Sequence, residues 1–252
     1  MLSISNEDLV NANQLLEQSN AELERFAYIA SHDLKSPLRN IISFMNLIER
    51  KLRNSEDKDI KEYLRFVTEN ALQMNILIQD VLEFSKIDSD NSTTKKEKID
   101  LNDTLMLAVQ NLHETLKENN AEIIAGKLPV LRANSVHALQ LLQNMIANGI
   151  KYNQKEKPTI IITHKELENQ HLITIKDNGI GIDKQYHEQI FEMFNRLHTR
   201  DEYKGTGIGL AICKKIVQNI GGKIWLESEP GQGSSFFISI PFEDKPLMAI
   251  VE

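Results

Sequence analysis

Cysteine is nearly absent from this chain: its 252 residues carry one, Cys213. A single thiol excludes an intrachain disulfide and a cysteine-built metal cluster. The expected place for it is the buried side of a helix. Long apolar runs are missing too. No stretch reaches the roughly eighteen apolar residues that span a bilayer, and no charged-then-apolar leader opens the chain. Basic excess is lacking: the formal net charge is -7 and the pI about 5.6, which argues against nonspecific nucleic-acid binding. No nucleic-acid partner and no membrane segment are therefore expected, and the cytoplasm is the expected location. No Walker A loop occurs, and no strand precedes the glycine run near residue 205 as a dinucleotide fingerprint requires. What remains is an ordinary balance, 41% hydrophobic and 26% charged, long enough for one large or two smaller domains.

The first third is periodic. Leu9, Asn13, Leu16, Asn20, Leu23, Ala27, Ala30, Leu34, Pro37, Ile41, Phe44 and Ile48 repeat at four-three spacing, the seam of one long helix that packs lengthwise on partners. Asn13 and Asn20 inside the seam would fix register and strand number. Pro37 predicts a kink just after His32. Arg53 to Lys58 is polar and reads as a hairpin turn. A second seam follows through Ile60, Leu64, Val67, Ala71, Met74, Ile78 and Val81. Two such helices cannot bury both apolar faces alone, so a homodimer through a four-helix bundle is expected over residues 26–87.

The stretch 88–98, DSDNSTTKKEK, is polar and reads as a linker. Beyond it the pattern is mixed. Leu105–Leu116, Val136–Tyr152 and Thr206–Ile220 look helical. Glu122–Ala125, Val130–Leu131, Thr159–His164, His171–Lys176, Lys223–Glu227 and Phe236–Ile240 look like strands. Helices on one face of a mixed or antiparallel sheet are the expected architecture.

Chemistry concentrates in four places. On the 136–152 helix, Asn144, Asn148, Lys151 and Tyr152 fall at i, i+4, i+7 and i+8, a stripe distinct from the apolar face of Leu139, Leu142, Ile146 and Ile150. An amide oxygen suits Mg2+, a lysine can meet phosphate, and a tyrosine can lie against a base; a solvated polar face fits the same spacing. Asp177-Asn178-Gly179-Ile180-Gly181 follows a strand: the carboxylate could accept an adenine N–H and Gly179 and Gly181 could admit a ligand to the backbone, or the segment is a plain Asp-Asn-Gly turn. Gly205-Thr206-Gly207-Ile208-Gly209-Leu210 opens an apolar helix, where exposed N–H groups favour phosphate. Before it, Asn195 to Lys204 is polar and reads as a mobile lid. Far upstream, Ser31-His32-Asp33-Leu34-Lys35-Ser36-Pro37-Leu38 offers an imidazole two residues from seam positions Ala30 and Leu34, hence pointing away from a bundle axis; alone, His32 is better read as a surface histidine.

Taken in order, these segments resemble the sensor histidine kinases of two-component signalling. Asn144-x-x-x-Asn148-x-x-Lys151-Tyr152, the Asp177 box, Phe191-Glu192-Met193-Phe194 and the Gly205 box are similar to that family's N, G1, F and G2 boxes. Gly231-Gln232-Gly233-Ser234-Ser235-Phe236 resembles its closing glycine motif, and the His32 segment its phosphoacceptor box. The likeness runs over about residues 26–241. It implies a helical hairpin forming a dimeric four-helix bundle, followed by an α/β two-layer sandwich of the GHKL ATP-binding type. The implied domains are an N-terminal signalling coiled coil at 1–25, the dimerisation and phosphotransfer domain at 26–87, a linker at 88–98, the catalytic ATP-binding domain at 99–243 and a tail at 244–252.

The resemblance implies autophosphorylation on His32 with Asp33 as base or orienter, then transfer to an aspartate of a response-regulator receiver domain. ATP and Mg2+ are the implied cofactors. ATP would be bound by Asn144, Asn148, Lys151, Tyr152, Asp177, Gly179, Gly181, Gly205, Thr206, Gly207, Gly209 and Leu210, and Mg2+ would be held partly by Asn148. Two positions depart from the family pattern. Gly149 stands where alanine is usual, which predicts a softer helix by about 1 kcal/mol of propensity. Ser36 stands where phosphatase-competent relatives carry threonine or asparagine, though a serine can still orient a water. The related gyrase, Hsp90 and MutL ATPases use a glutamate as water-activating base at the position of Asn144, and an amide cannot serve so. A non-catalytic nucleotide-binding scaffold is the other alternative. The stimulus-sensing domain and the receiver are expected outside this sequence, with the chain read as part of a longer kinase.

Overall fold

A computed structural model describes residues 38–50, 52, 58–93, 96–197, 203 and 205–242, with backbone alone for 58–59 and 88–93. The phosphoacceptor segment with His32, Asp33 and Ser36 lies outside the described residues. So do the seam and coiled coil before residue 38, Pro37, turn residues 53–57, residues 198–202 and 204 of the expected lid, and the tail. The chain divides into two compact units between Ser89 and Asp90.

In the first unit, residues 38–50 form α1 and Lys58–Thr93 form α2, a helical hairpin as expected. The apolar seams explain both helices, but within one chain they are only partly covered. Leu38, Leu64, Ala71 and Ile87 are buried. Ile41, Phe44, Leu47, Tyr63, Phe66 and Met74 stay exposed, more apolar surface than a monomeric hairpin ordinarily shows.

The stretch expected as a linker is largely built into elements. Helix α2 continues to Thr93, and β1 begins at Glu97. The strand exists because Glu97–Asp100 pair antiparallel with Val130–Ala133 and bury Ile99 and Leu131. That pairing joins residues thirty or more positions apart and leaves no local signature.

The second unit alternates helix and strand. After β1 come α3 (Leu101–Asn111), α4 (His113–Glu118), β2 (Glu122–Ala125), β3 (Val130–Ala133), α5 (Ser135–Lys151), β4 (Thr159–Glu166) and β5 (Gln170–Asp177). Two 3-10 turns, α6 (Gly209–Asn219), β6 (Lys223–Glu229) and β7 (Gly233–Pro241) complete it. β1 and β3 make a two-stranded ribbon, and the main sheet has the order β2-β4-β5-β7-β6. β2 runs parallel to β4 and the other neighbours are antiparallel.

Caps fix the helix starts. The Asp100 carboxylate accepts from the Asn102 N–H at 2.8 Å, and the Asn134 side chain accepts from Val136 and His137, supplying two of the N–H groups that a helix start leaves unpaired. One face of the sheet is apolar and buried, through Ile160, Ile162, Ile173, Ile175, Leu226 and Ile238. The inward stripes of α5 and α6 meet it, with Ile146, Cys213 and Val217 fully enclosed. Burial pushes the Cys213 thiol up to about 12, in keeping with its expected place. Thr206–Ile220 was expected as helix, but α6 starts only at Gly209. Gly205 and Gly207 hold φ of 154° and 77°, values that no right-handed helix contains.

Candidate functional site

The site forms where the C-terminal end of α5, the end of β5 and the start of α6 converge. Asp177 ends β5 and is 8% exposed. Its Oδ1 accepts two backbone N–H groups, Gly179 at 2.8 Å and Ser234 at 3.1 Å. Among the described residues Oδ2 accepts none. Burial raises the Asp177 pKa above the usual carboxylate value, and the two N–H groups pull it down in part. The carboxylate is thus pinned by one oxygen and presents the other.

The glycines around it serve the protein's own packing. A side chain at Gly179 would collide with the Tyr152 carbonyl, and one at Gly181 with the Glu229 carbonyl. The Ile180 N–H bonds to the Tyr152 carbonyl at 3.0 Å and the Gly231 N–H to the Ile180 carbonyl at 2.7 Å, so the box is threaded between α5 and the β6–β7 turn. Close backbone approach within the protein is thus one reason for glycine at both positions. Gly233 is more telling. It has φ of 82°, and a Cβ there would strike the carbonyl oxygen of Asp177. Only a glycine lets β7 come close enough for Ser234 to reach Oδ1.

On α5 the expected stripe divides by role. The Asn144 amide donates to the Gly209 carbonyl at 3.4 Å and lies against Cys213, so its contacts join α5 to α6. Asn148 is half-buried, and its side-chain amide has no hydrogen-bond partner among the described residues. Lys151 Nζ donates to the Tyr152 hydroxyl at 2.9 Å, lies 4.4 Å from that ring's centre and stands beside Gly205. The Tyr152 ring, expected against a base, meets Tyr203 of the lid segment at 5.0 Å. Gly149 approaches β4 and β5 closely: a Cβ there would sit 3.1 Å from Ile160 Cγ1 and 3.3 Å from Asp177 Cβ. The glycine therefore accompanies a tight helix–sheet contact under the carboxylate.

The Gly205 box closes the site. The Thr206 hydroxyl accepts from the Ile208 N–H at 3.4 Å. The Ile208 side chain caps nothing, which leaves N–H groups of the first turn of α6, around Gly209 and Leu210, able to receive an anion. The Gly207 carbonyl accepts from the Phe194 N–H at 3.1 Å, which ties this box to Phe191–Phe194, and Phe194 itself has φ of 63°. Thus the structure brings together Asn148, Lys151, Tyr152, Asp177 and Gly205 to Leu210. His32, Asp33 and Ser36 are outside the described residues.

Comparison with known proteins decides the family. Residues 22–90 match the His Kinase A (phospho-acceptor) domain, and residues 133–244 match the domain described as histidine kinase-, DNA gyrase B- and HSP90-like ATPase. The chain belongs to the histidine kinases. Relatives include the phytochrome-like protein Cph1 of Synechocystis, 43% identical over 93% of this chain and 31% of that protein. Cyanobacterial phytochrome A of Nostoc is 44% identical over 90% of this chain and 29% of its own length. A sensor protein kinase WalK of Staphylococcus aureus is 33% identical over 92% of this chain and 57% of that sequence. The chain thus spans about three-tenths of the length of its phytochrome relatives. Among solved structures, the catalytic domain of histidine kinase ThkA aligns with a TM-score of 0.51 at 26% identity, over 59% of this chain and 96% of that one. Full-length ShkA aligns with a TM-score of 0.66 at 23% identity, over 86% of this chain and 46% of that one, a likeness of fold.

Several residues that shape this histidine kinase's site escaped the sequence reading. The Asn178 side chain accepts from Asn153 at 2.7 Å and from the Thr159 N–H at 2.8 Å, and donates to the Lys157 carbonyl, locking the loop after α5. Ser228 accepts from the Ile182 N–H and donates to the Gly233 carbonyl, both at 2.8 Å. Tyr203 is held by Gln154 at its hydroxyl and by Arg196 at its carbonyl. Asn178 sits inside the Asp177 box and Tyr203 inside the stretch read as a lid, so each carried a signal; Ser228 had none.

Proposed function

We propose that this chain transfers the γ-phosphoryl group of ATP to His32, and from there to an aspartate of a response-regulator receiver domain. The observation that carries the reading is the Asp177 carboxylate, buried and pinned by Oδ1, with Oδ2 and the Asn148 amide both without a hydrogen-bond partner among the described residues and the start of α6 without a side-chain cap. Oδ2 is set to accept the exocyclic N–H of adenine. Lys151 and the first-turn N–H groups of α6 offer positive charge and donors to the phosphates. The half-buried, neutral Asn148 oxygen fits Mg2+, a hard ion that keeps most of its waters and phosphate ligands; when bound, Mg2+ neutralises charge on the phosphates.

A neutral His32 ring nitrogen attacks the γ-phosphorus, the bond to the β-phosphate oxygen breaks, and ADP leaves. Asp33 accepts the proton of the other ring nitrogen. Ser36, four residues on, carries a hydroxyl suited to orienting water in hydrolysis of the phosphohistidine.

The exposed Ile41, Phe44, Leu47, Phe66 and Met74 support pairing of two hairpins into a homodimeric four-helix bundle. The phosphotransfer domain is placed at 26–87 and the ATP-binding domain at 99–243. Sensing is assigned to a domain outside this sequence, since the phytochrome relatives are about three times as long. No described helix is long and apolar enough to cross a membrane, and a cytoplasmic location fits that.

The test is incubation with γ-labelled ATP and Mg2+. Acid-labile, alkali-stable label that vanishes in His32→Ala is the expected result. Bound nucleotide without label in the native chain would make the protein a scaffold instead.

A further inference from the structure

A histidine pair far from the nucleotide site is not used by this chemistry. His164 and Glu166 are two apart on β4 and share a face. His171 stands directly across from Glu166 on β5, and His164 across from Ile173. The ligand atoms of the three side chains all lie within 4.8 Å of one another. The closest pair is His164 Nε2 and His171 Nδ1, at 3.0 Å. The ring of Phe242 meets His171 edge-on at 4.5 Å and holds its orientation. Both histidines are half-buried while Glu166 is exposed, so the cluster is preformed and open to solvent.

We propose that His164, Glu166 and His171 bind one divalent late transition-metal ion and staple the β4–β5 hairpin. Two imidazole nitrogens and one carboxylate suit Cu2+, Ni2+ or Zn2+ and not Mg2+ or Ca2+, which take oxygen ligands. The nitrogens, 3.0 Å apart in the metal-free pair, are close to the span that two ligands of one ion need at metal–nitrogen bonds of about 2.0–2.1 Å. The order of affinities favours Cu2+ over Ni2+ and Zn2+. Waters fill the remaining positions. In the metal-free pair one ring lends a proton to the other; on binding, that proton moves through solvent to the donor ring's second nitrogen, and both rings stay neutral. Asp177 lies at the other end of β5, six residues or about 20 Å along the strand, so the metal and the nucleotide do not compete.

The test uses the untagged full chain, stripped with chelator, titrated with Cu2+ and Ni2+ by calorimetry and by paramagnetic resonance of Cu2+. One equivalent should bind, with nitrogen couplings in the Cu2+ spectrum. The double variant His164→Ala, His171→Ala should lose at least about tenfold in affinity, while its ADP affinity without added metal stays that of the native chain. If the double variant does not fold, His164→Gln and His171→Gln, which keep a hydrogen bond but remove imidazole, should each show the same loss. No saturable binding by the native chain, undiminished binding by these variants, or equal competition by Mg2+ would overturn the proposal.

Discussion

Replacing Gly233 with alanine tests the central feature of the site, the contact that lets β7 reach Asp177. The added methyl meets the Asp177 carbonyl oxygen at a distance no side chain tolerates, and lies 2.9 Å from Asn178 Cα. Three costs follow. The φ of 82° strains an alanine by about 1–2 kcal/mol. Crowding that must push backbone apart costs about 1–3 kcal/mol. The displaced Ser234 N–H loses its bond to the carboxylate, worth about 1.5–3 kcal/mol for a charged acceptor. The sum, about 3.5–8 kcal/mol, is comparable with the whole stability of an ordinary domain, about 5–15 kcal/mol.

Gly231 is the control. It has nearly the same φ, 80°, and nothing within 4 Å of a would-be Cβ, so Gly231→Ala should lose only the strain, about 1–2 kcal/mol. Trp225, the one tryptophan of the chain, stacks on Phe237 of β7 at 5.4 Å, and its fluorescence reports unfolding of this sheet. With a urea slope of about 1–3 kcal/mol/M, the midpoint of Gly233→Ala should fall at least about 1 M below that of Gly231→Ala, and nucleotide affinity should fall with it. Equal midpoints for the two variants would refute the claim that close approach, rather than backbone conformation alone, demands glycine at 233.

Two further predictions concern the same pocket. Asp177 carries a raised pKa in the folded state because it is buried. The folded protein therefore holds this proton more tightly than the unfolded chain. The associated stability is fully present below the usual 3.8 and is lost as pH rises through the raised folded value. Urea midpoints measured upward from about that pH should fall in the native chain relative to Asp177→Asn, and a flat difference between the two would contradict the burial argument. At Gly149, alanine gains up to about 1 kcal/mol of helix propensity but crowds Ile160 Cγ1 at 3.1 Å, a side-chain atom able to yield. Gly149→Ala should change stability by less than about 1 kcal/mol, whereas the branched Gly149→Val should lose about 1–3 kcal/mol. Similar midpoints for alanine and valine would show that the helix does not approach the sheet as described.

The strands at 122–125, 159–166 and 170–177 and the helix at 135–151 were legible because each has its own periodicity. The junction at 88–98 was not. Its residues are polar, and β1 exists only through its pairing with Arg132, Leu131 and their neighbours. The start of α6 was misplaced by three residues because glycine fits a helix turn and a left-handed bend equally well on paper; the φ of Gly207 settled it. The stripe on α5 was correctly gathered on one helix face. Its division into a joining residue, Asn144, and an unpartnered one, Asn148, depends on where α6 packs, which spacing on a single helix does not encode.

By itself the sequence determined the kinds of chemistry in this chain: an ordered set of boxes, a carboxylate at a strand end, amides and a lysine on one helix face, and an apolar hairpin needing a partner. Those are properties of local spacing, and side-chain directions on a helix or strand follow from spacing alone. Tertiary structure decided which glycines meet the protein's own backbone, which oxygen of Asp177 is taken, and that His164 meets His171. These are contacts between segments whose separation along the chain carries no record of their distance in space, so only the packed sheet and its helices fix them.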